Sequence, residues 1–254
     1  MLKYSLNQSQ LSDEELKEIF VQVKEKLKES SEDLDIIFNV ALLDRELFPV
    51  ENASKNGMDE REYLEKWVGK YMSAMQIPPS KHVGEPKKAC SDPVLALIVE
   101  NTKSLVNLQI EEMEKAHNLF MAAENIQGGL LEEYISYQVK KYGWIWCAGN
   151  TLRAVDFCNL DGSSLLQIKN KYNTENSSSS AIRNGTIIQK WYRVKNKTQK
   201  GKSIPVFRWE DINAIIDSGK KAGNNLIKCD MNEKSYRDFV TRTVRKNNKI
   251  ISDL

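Results

Sequence analysis

The spacing of apolar side chains changes once along this chain, and that change limits what it can fold into. From Ser12 to about Asn125 they recur every three or four residues, the period of a half-buried helix. From Trp144 onward they arrive in short aromatic and β-branched runs, the pattern of strands. A chain that spends its first half on helices and then builds a sheet belongs to the α/β (α+β) class, a mixed sheet flanked by helices with a helical N-terminal region.

Ser12 and Glu15 form a capping box ahead of Leu16, Ile19, Phe20, Val23 and Leu27, so a helix runs from about Ser12 to Glu29. Further helical stretches run from about Glu32 to Leu47 and from about Asp59 to Met75, each ended by proline at 49 or at 78 and 79. Residues 77–92 hold three prolines and a glycine and read as a surface connection. Pro93 then opens one long helix or two stacked ones that reach about Asn125.

After Gly128 and Gly129 the segment LLEEYISYQVKKY reads as a short amphipathic helix stopped by Gly143. Strands are expected at 144–147, 152–158 and 164–169, the last two joined by an Asp161-Gly162 turn. The serine run Ser177–Ser180 reads as a capped helix start, 204–209 as a strand, and 210–218 and 233–244 as helices. The boundary of organisation therefore falls at 1–124 and 125–254.

Charge is distributed as unevenly as hydropathy. Residues 11–70 hold 16 acids against 9 bases, whereas residues 165–209 hold 10 bases against one acid, Glu175. A cationic C-terminal half suits a polyanionic partner. The 4 cysteines form no CxxC pair and only 2 histidines are present, which leaves little for zinc ribbons, disulfide frameworks or histidine-based catalysis. No Walker loop, GxGxxG, signal core or membrane-length apolar run occurs, so a soluble, cytoplasmic protein is expected.

The residues that carry chemistry lie on the predicted hairpin. Alternation puts Leu165, Gln167 and Lys169 on one face of their strand and Leu166 and Ile168 on the other. Pairing across the Asp161-Gly162 turn would let Asp156 meet Gln167 and Lys169. An acid, a second oxygen donor and a lysine at one sheet edge suit metal-assisted phosphodiester hydrolysis. Asp156, Gln167 and the Ile168 carbonyl would be oxygen ligands for Mg²⁺, and Lys169 would orient or deprotonate the attacking water. The order Asp-x10-Gln-x-Lys matches the PD-(D/E)XK nuclease signature with two departures: Val155 replaces its proline, and Gln167 replaces an acid. Glu132 or Glu133, on the preceding helix, would supply the missing carboxylate. We favour Glu132, although helix phase does not separate the two.

GGLLEEYI, RAVDFC and above all LQIKNKYNTENSSSSAIRNGTIIQKWYR resemble type II restriction endonucleases, most closely the SinI group that cuts at GGWCC. The resemblance covers roughly residues 124–210. It implies a PD-(D/E)XK core, Mg²⁺ dependence, double-strand cleavage that leaves 5′-phosphates, a homodimer on a palindromic site, and a companion DNA methyltransferase. Asp156, Gln167 and Lys169 would take the metal and catalytic roles, with Glu132.

Segment 170–202 is the expected DNA-recognition segment. Asn170, Lys171, Asn173, Asn176, Ser177, Ser178, Ser179, Ser180 and Arg183 suit DNA contact, with serines on phosphate and arginine on guanine edges. A second basic run from Lys190 to Lys202 reads as a flexible loop that tracks the backbone. Trp144, Trp146, Trp191 and Trp209 read as core or interface residues. Two other readings share these features: a structure-specific or repair nuclease of the same core, and a DNA-binding protein in which Gln167 marks lost catalysis.

Overall fold

A computed structural model of the chain describes residues 2–84, 93–103, 107–171, 186–220 and 228–252. The helical first half forms as its periodicity requires. α1 (Asp13–Leu27) is closed by the expected capping box, with Ser12 Oγ accepting from Glu15 N at 3.2 Å and Ser12 N donating to Glu15 Oε2 at 2.7 Å. α2 (Glu32–Leu43) and α3 (Glu60–Gln76) complete this layer. Phe20 stacks on Phe38 with centroids 4.0 Å apart, and Trp67 meets both rings edge-on.

The second half is a five-stranded sheet in the order β3-β4-β5-β6-β7; β1 (Lys3–Tyr4) and β2 (Glu51–Asn52) pair separately. β3 (Trp144–Trp146), β4 (Phe157–Asn159) and β5 (Leu165–Lys171) form the expected antiparallel meander. β6 (Ile188–Gln199) lies parallel to β5, and β7 (Lys202–Phe207) returns antiparallel to β6. The sheet is therefore mixed.

Each face of the sheet carries its own core. Ile145, Cys158, Leu165 and Ile188 pack with the helical layer, and Trp67 Nε1 donates to Thr151 O at 2.8 Å to tie α3 to the β3–β4 connection. Trp144, Phe157, Leu166, Ile168 and Trp191 pack on the other face with α5 (Asn107–Val139), α6 (Trp209–Ser218) and α7 (Glu233–Lys246). α4 (Pro93–Lys103) starts at the expected proline and buries none of its side chains.

Three elements differ from the sequence expectation. The strand expected at 152–158 is confined to Phe157–Asn159, with Leu152 and Val155 in an isolated bridge ahead of it. α5 runs through Gly128 and Gly129 without a break. Two helical glycines cost about 1 kcal/mol each against alanine, but a Cβ on Gly129 would stand 2.9 Å from the Pro79 ring, so the smallest residue lets α5 approach that turn. Residues 188–199 form one long strand, not a loop. Its parallel pairing requires a crossover of a dozen or so residues after β5. The serine-run helix expected there lies outside the described residues.

Candidate active site

Asp156 stands one residue ahead of β4, held by three backbone groups. Its N–H donates to Leu166 O and its carbonyl accepts from Cys147 N, both at 2.9 Å, while Oδ2 accepts from Ile168 N at 2.6 Å. Phe157 pairs with Leu166 and Cys158 with Leu165, so the register extended by one sets Asp156 opposite Gln167. The expected pairing across the Asp161-Gly162 turn is therefore present. Gln167 is buried at 5% exposure, and Lys169, two residues on, is exposed at the end of β5.

Glu132 arrives from the opposite direction, on α5, where Trp146 Nε1 donates to its Oε2 at 3.3 Å. Burial and the negative charge of Asp156 push the Glu132 carboxyl up to about 8, against the smaller lowering effects of Trp146 and Lys169. Burial also lifts Asp156, to about 6, against the Ile168 N–H and the Lys169 charge, which lower it. Two carboxyls that resist ionising side by side form an oxygen site that a cation would stabilise.

The structure separates the two candidate glutamates. Glu133 is 1% exposed and accepts from Ser80 N at 2.7 Å, Ser80 Oγ at 2.6 Å and Tyr137 Oη at 2.8 Å. It anchors α5 to the turn after α3. Glu132 faces the Asp156–Lys169 edge. Among the described residues no three His, Cys, Asp or Glu side chains are grouped to hold a metal ion. That follows from Gln167: the acids present are Asp156 and Glu132, and further oxygens must come from an amide and the Ile168 carbonyl. This all-oxygen set fits a hard divalent cation that keeps several waters.

Of the expected DNA contacts, Asn170 and Lys171 are described. Asn170 Nδ2 donates to Gln127 Oε1 at 2.6 Å, and its Oδ1 accepts from Arg193 Nε at 2.9 Å, so both ends of this amide bind within the chain. Lys171 makes an ion pair with Glu124 at 3.1 Å, with both side chains about half exposed. Asn173, Asn176, Ser177, Ser178, Ser179, Ser180 and Arg183 lie outside the described residues.

Sequence reasoning overlooked the support around the site. Trp146, read as core, also holds Glu132. Arg193 bonds both oxygens of Glu233, at 2.7 and 2.6 Å, while steadying Asn170 next to Lys169. These partners lie 23 and 40 residues apart in sequence, and no local pattern marks them.

A mixed five-stranded sheet between helical layers, with Asp156, Gln167, Lys169 and Glu132 gathered at one end of β4 and β5, is consistent with a restriction-endonuclease-type nuclease core. Comparison with known proteins gives the same class independently. The family model for SinI restriction endonuclease matches residues 55–244. Type II restriction enzyme SinI from Salmonella infantis is 35% identical over 165 residues, which span 63% of this chain and 65% of that enzyme. Type II restriction enzyme Eco47I from Escherichia coli is 32% identical over 196 residues, 76% of each. The chain belongs to the SinI restriction endonuclease family. No helix among the described residues is long and apolar enough to cross a membrane.

Proposed function

We propose that this protein is a type II restriction endonuclease of PD-(D/E)XK type that cuts double-stranded DNA at a short GC-rich palindrome, with GGWCC the leading site, and leaves 5′-phosphates. The observation that carries this reading is the convergence of Asp156, Glu132 and Lys169 at one end of β4 and β5 in a chain of this family. Asp156, Glu132, the Gln167 amide oxygen and the Ile168 carbonyl are the groups that would hold Mg²⁺. Bound there, the ion would polarise the scissile phosphate and acidify a water.

The chain's own groups do the rest. Asp156, fixed by the Ile168 N–H, cannot swing away from the edge. Lys169 orients the attacking water and offsets the charge that builds on the phosphate oxygens as the bond to the 3′-oxygen breaks. The helical layer on residues 1–124 braces the sheet face that Leu165 shares with Gln167 and Lys169, beside the site in 125–254. A palindromic target calls for a homodimer with one site per strand, and a host that carries such an enzyme needs a matching DNA methyltransferase. The protein would work in the cytoplasm, where the DNA is.

Purified protein on unmethylated plasmid with Mg²⁺ should give discrete bands that map to one site, and none in EDTA. Asp156→Ala and Lys169→Ala should each lower cleavage by at least about 10²-fold and leave binding intact. Gln167 supports one competing reading, a DNA-binding protein without catalysis. Intact plasmid in both Mg²⁺ and Mn²⁺ with retained binding would favour it.

A further inference from the structure

The hairpin of β6 and β7 continues well past the sheet. β6 pairs with β5 only as far as Val194, opposite Lys171, and Tyr192 is opposite Lys169. From Lys195 to Gln199 its only partner strand among the described residues is β7. Every residue from 195 to 206 is exposed, and the tip is a two-residue turn with Lys200 and Gly201 both at positive φ, 50° and 73°. A turn of that kind matches the twist of the flanking strands and makes a firm ribbon. Gln199 lies seven steps beyond Tyr192, so at about 3.3 Å per residue the ribbon reaches about 23 Å past Lys169, of which about 17 Å is beyond the end of β5.

The two faces of this ribbon differ. Lys195 and Lys197 share one face with their cross-strand partners Val206 and Ile204, and Lys202 follows on that face opposite Gln199. The lysine stems can lie over these aliphatic side chains while the ammonium groups spread outward. The other face, which alternation makes continuous with Tyr192 and Lys169, carries Asn196, Thr198 and Ser203. Lys200 sits at the tip. No Asp or Glu occurs from Asn176 to Trp209, so the ribbon's own sequence carries no opposing charge.

We propose that the β6–β7 ribbon is a DNA-gripping arm: it enters the groove of the duplex bound at the Lys169 end, with Lys195, Lys197, Lys200 and Lys202 on flanking phosphates and the Asn196–Thr198–Ser203 face toward the bases. A two-stranded ribbon fits a major groove about 12 Å wide and 8.5 Å deep, and a reach of about 23 Å exceeds that depth. Four lysines that form no ion pair among the described residues, on a protruding strand pair, find their counter-charge in DNA, which presents one phosphate per about 1.7 Å of axis. This inference rests on the nuclease reading and adds the element that holds the substrate.

The test is the salt dependence of binding to a 30-base-pair duplex in EDTA, measured by fluorescence anisotropy. A variant with all four lysines replaced by alanine is compared with native protein and with a charge-matched control, Lys17, Lys26, Lys55 and Lys66 to alanine, on the acidic helical layer. Each phosphate contact contributes about 0.9 to the slope of log K against log salt, so the ribbon variant should lose about 3 to 4 from the slope while the control loses less than 1. Circular dichroism should show both variants folded, because all eight side chains are exposed. A ribbon variant with the native slope, or a control that loses as much, overturns the arm. Native protein that shows no salt-dependent DNA binding overturns the nuclease reading itself, a distinct result.

Discussion

Arg193→Met should cost the protein about 3 kcal/mol of folding stability. Arg193 is 6% exposed in β6, bonds both carboxylate oxygens of Glu233, and lies 5.3 and 5.2 Å from the ring centres of Phe207 and Tyr236. Methionine refills much of the stem's volume but leaves the carboxylate without its main partner. Breaking a buried ion pair from one side costs about 3–5 kcal/mol. Glu233 keeps the Trp209 and Arg237 donors, at 3.0 and 2.9 Å, which places the loss at the low end. At about 2–4 °C per kcal/mol for a chain of this size, the melting temperature should fall by about 6–12 °C. Burial alone would raise the Glu233 pKa, but the Arg193, Trp209 and Arg237 donors outweigh it and hold it below the usual range. A lowered carboxylate contributes stability at neutral pH that is lost as pH falls, so the gap between native and variant protein should narrow on acidification. Urea denaturation at two pH values measures both effects. The double variant Arg193→Met/Glu233→Met should recover about 2 kcal/mol of the loss, because no uncompensated charge remains. A single-variant loss below about 1 kcal/mol, or a double variant no more stable than the single, would refute the view of Arg193–Glu233 as a desolvated pair.

Two further predictions concern the site. Glu132 titrates high in the folded protein, so its stability contribution is present below about 4.5 and is lost as pH rises through about 8. In EDTA, Glu132→Gln should therefore gain stability relative to native protein across that window, and a melting-temperature difference that stays constant with pH would contradict the assignment. Gln167→Glu restores an acid at a buried position facing Asp156. It should tighten Mg²⁺ binding, read by calorimetry, while lowering the metal-free melting temperature; unchanged values for both would place Gln167 away from the ion.

The local features of this protein are legible in its residues. The Ser12–Glu15 box, the Leu16–Phe20–Val23 stripe and proline at 93 depend on neighbours within one or two helical turns, and each stands where the pattern predicts. The β4–β5 pairing is also readable, because a turn at Asp161-Gly162 and period-two alternation fix which side chains oppose each other across a short connection. From that alone Asp156, Gln167 and Lys169 fall together.

What the tertiary structure decided are the contacts between residues far apart in the chain. Glu132 and Glu133 differ by about 100° around α5, and only the packing of that helix against Trp146 on one side and Ser80 on the other sends the first to the site and buries the second. β6 is not legible as the partner of β5 because the two strands are parallel, and a parallel pair is joined by a long crossover rather than by a tight turn whose residues mark the pairing. The partners of Asn170 are likewise set by tertiary structure: Gln127 and Arg193, 43 and 23 residues away, bond the two ends of its amide. Sequence specifies backbone period and turn chemistry, which act over a few residues. Which polar group meets which across the molecule depends on how helices and sheet are set against one another, and that is settled only when the cores on the two sheet faces close.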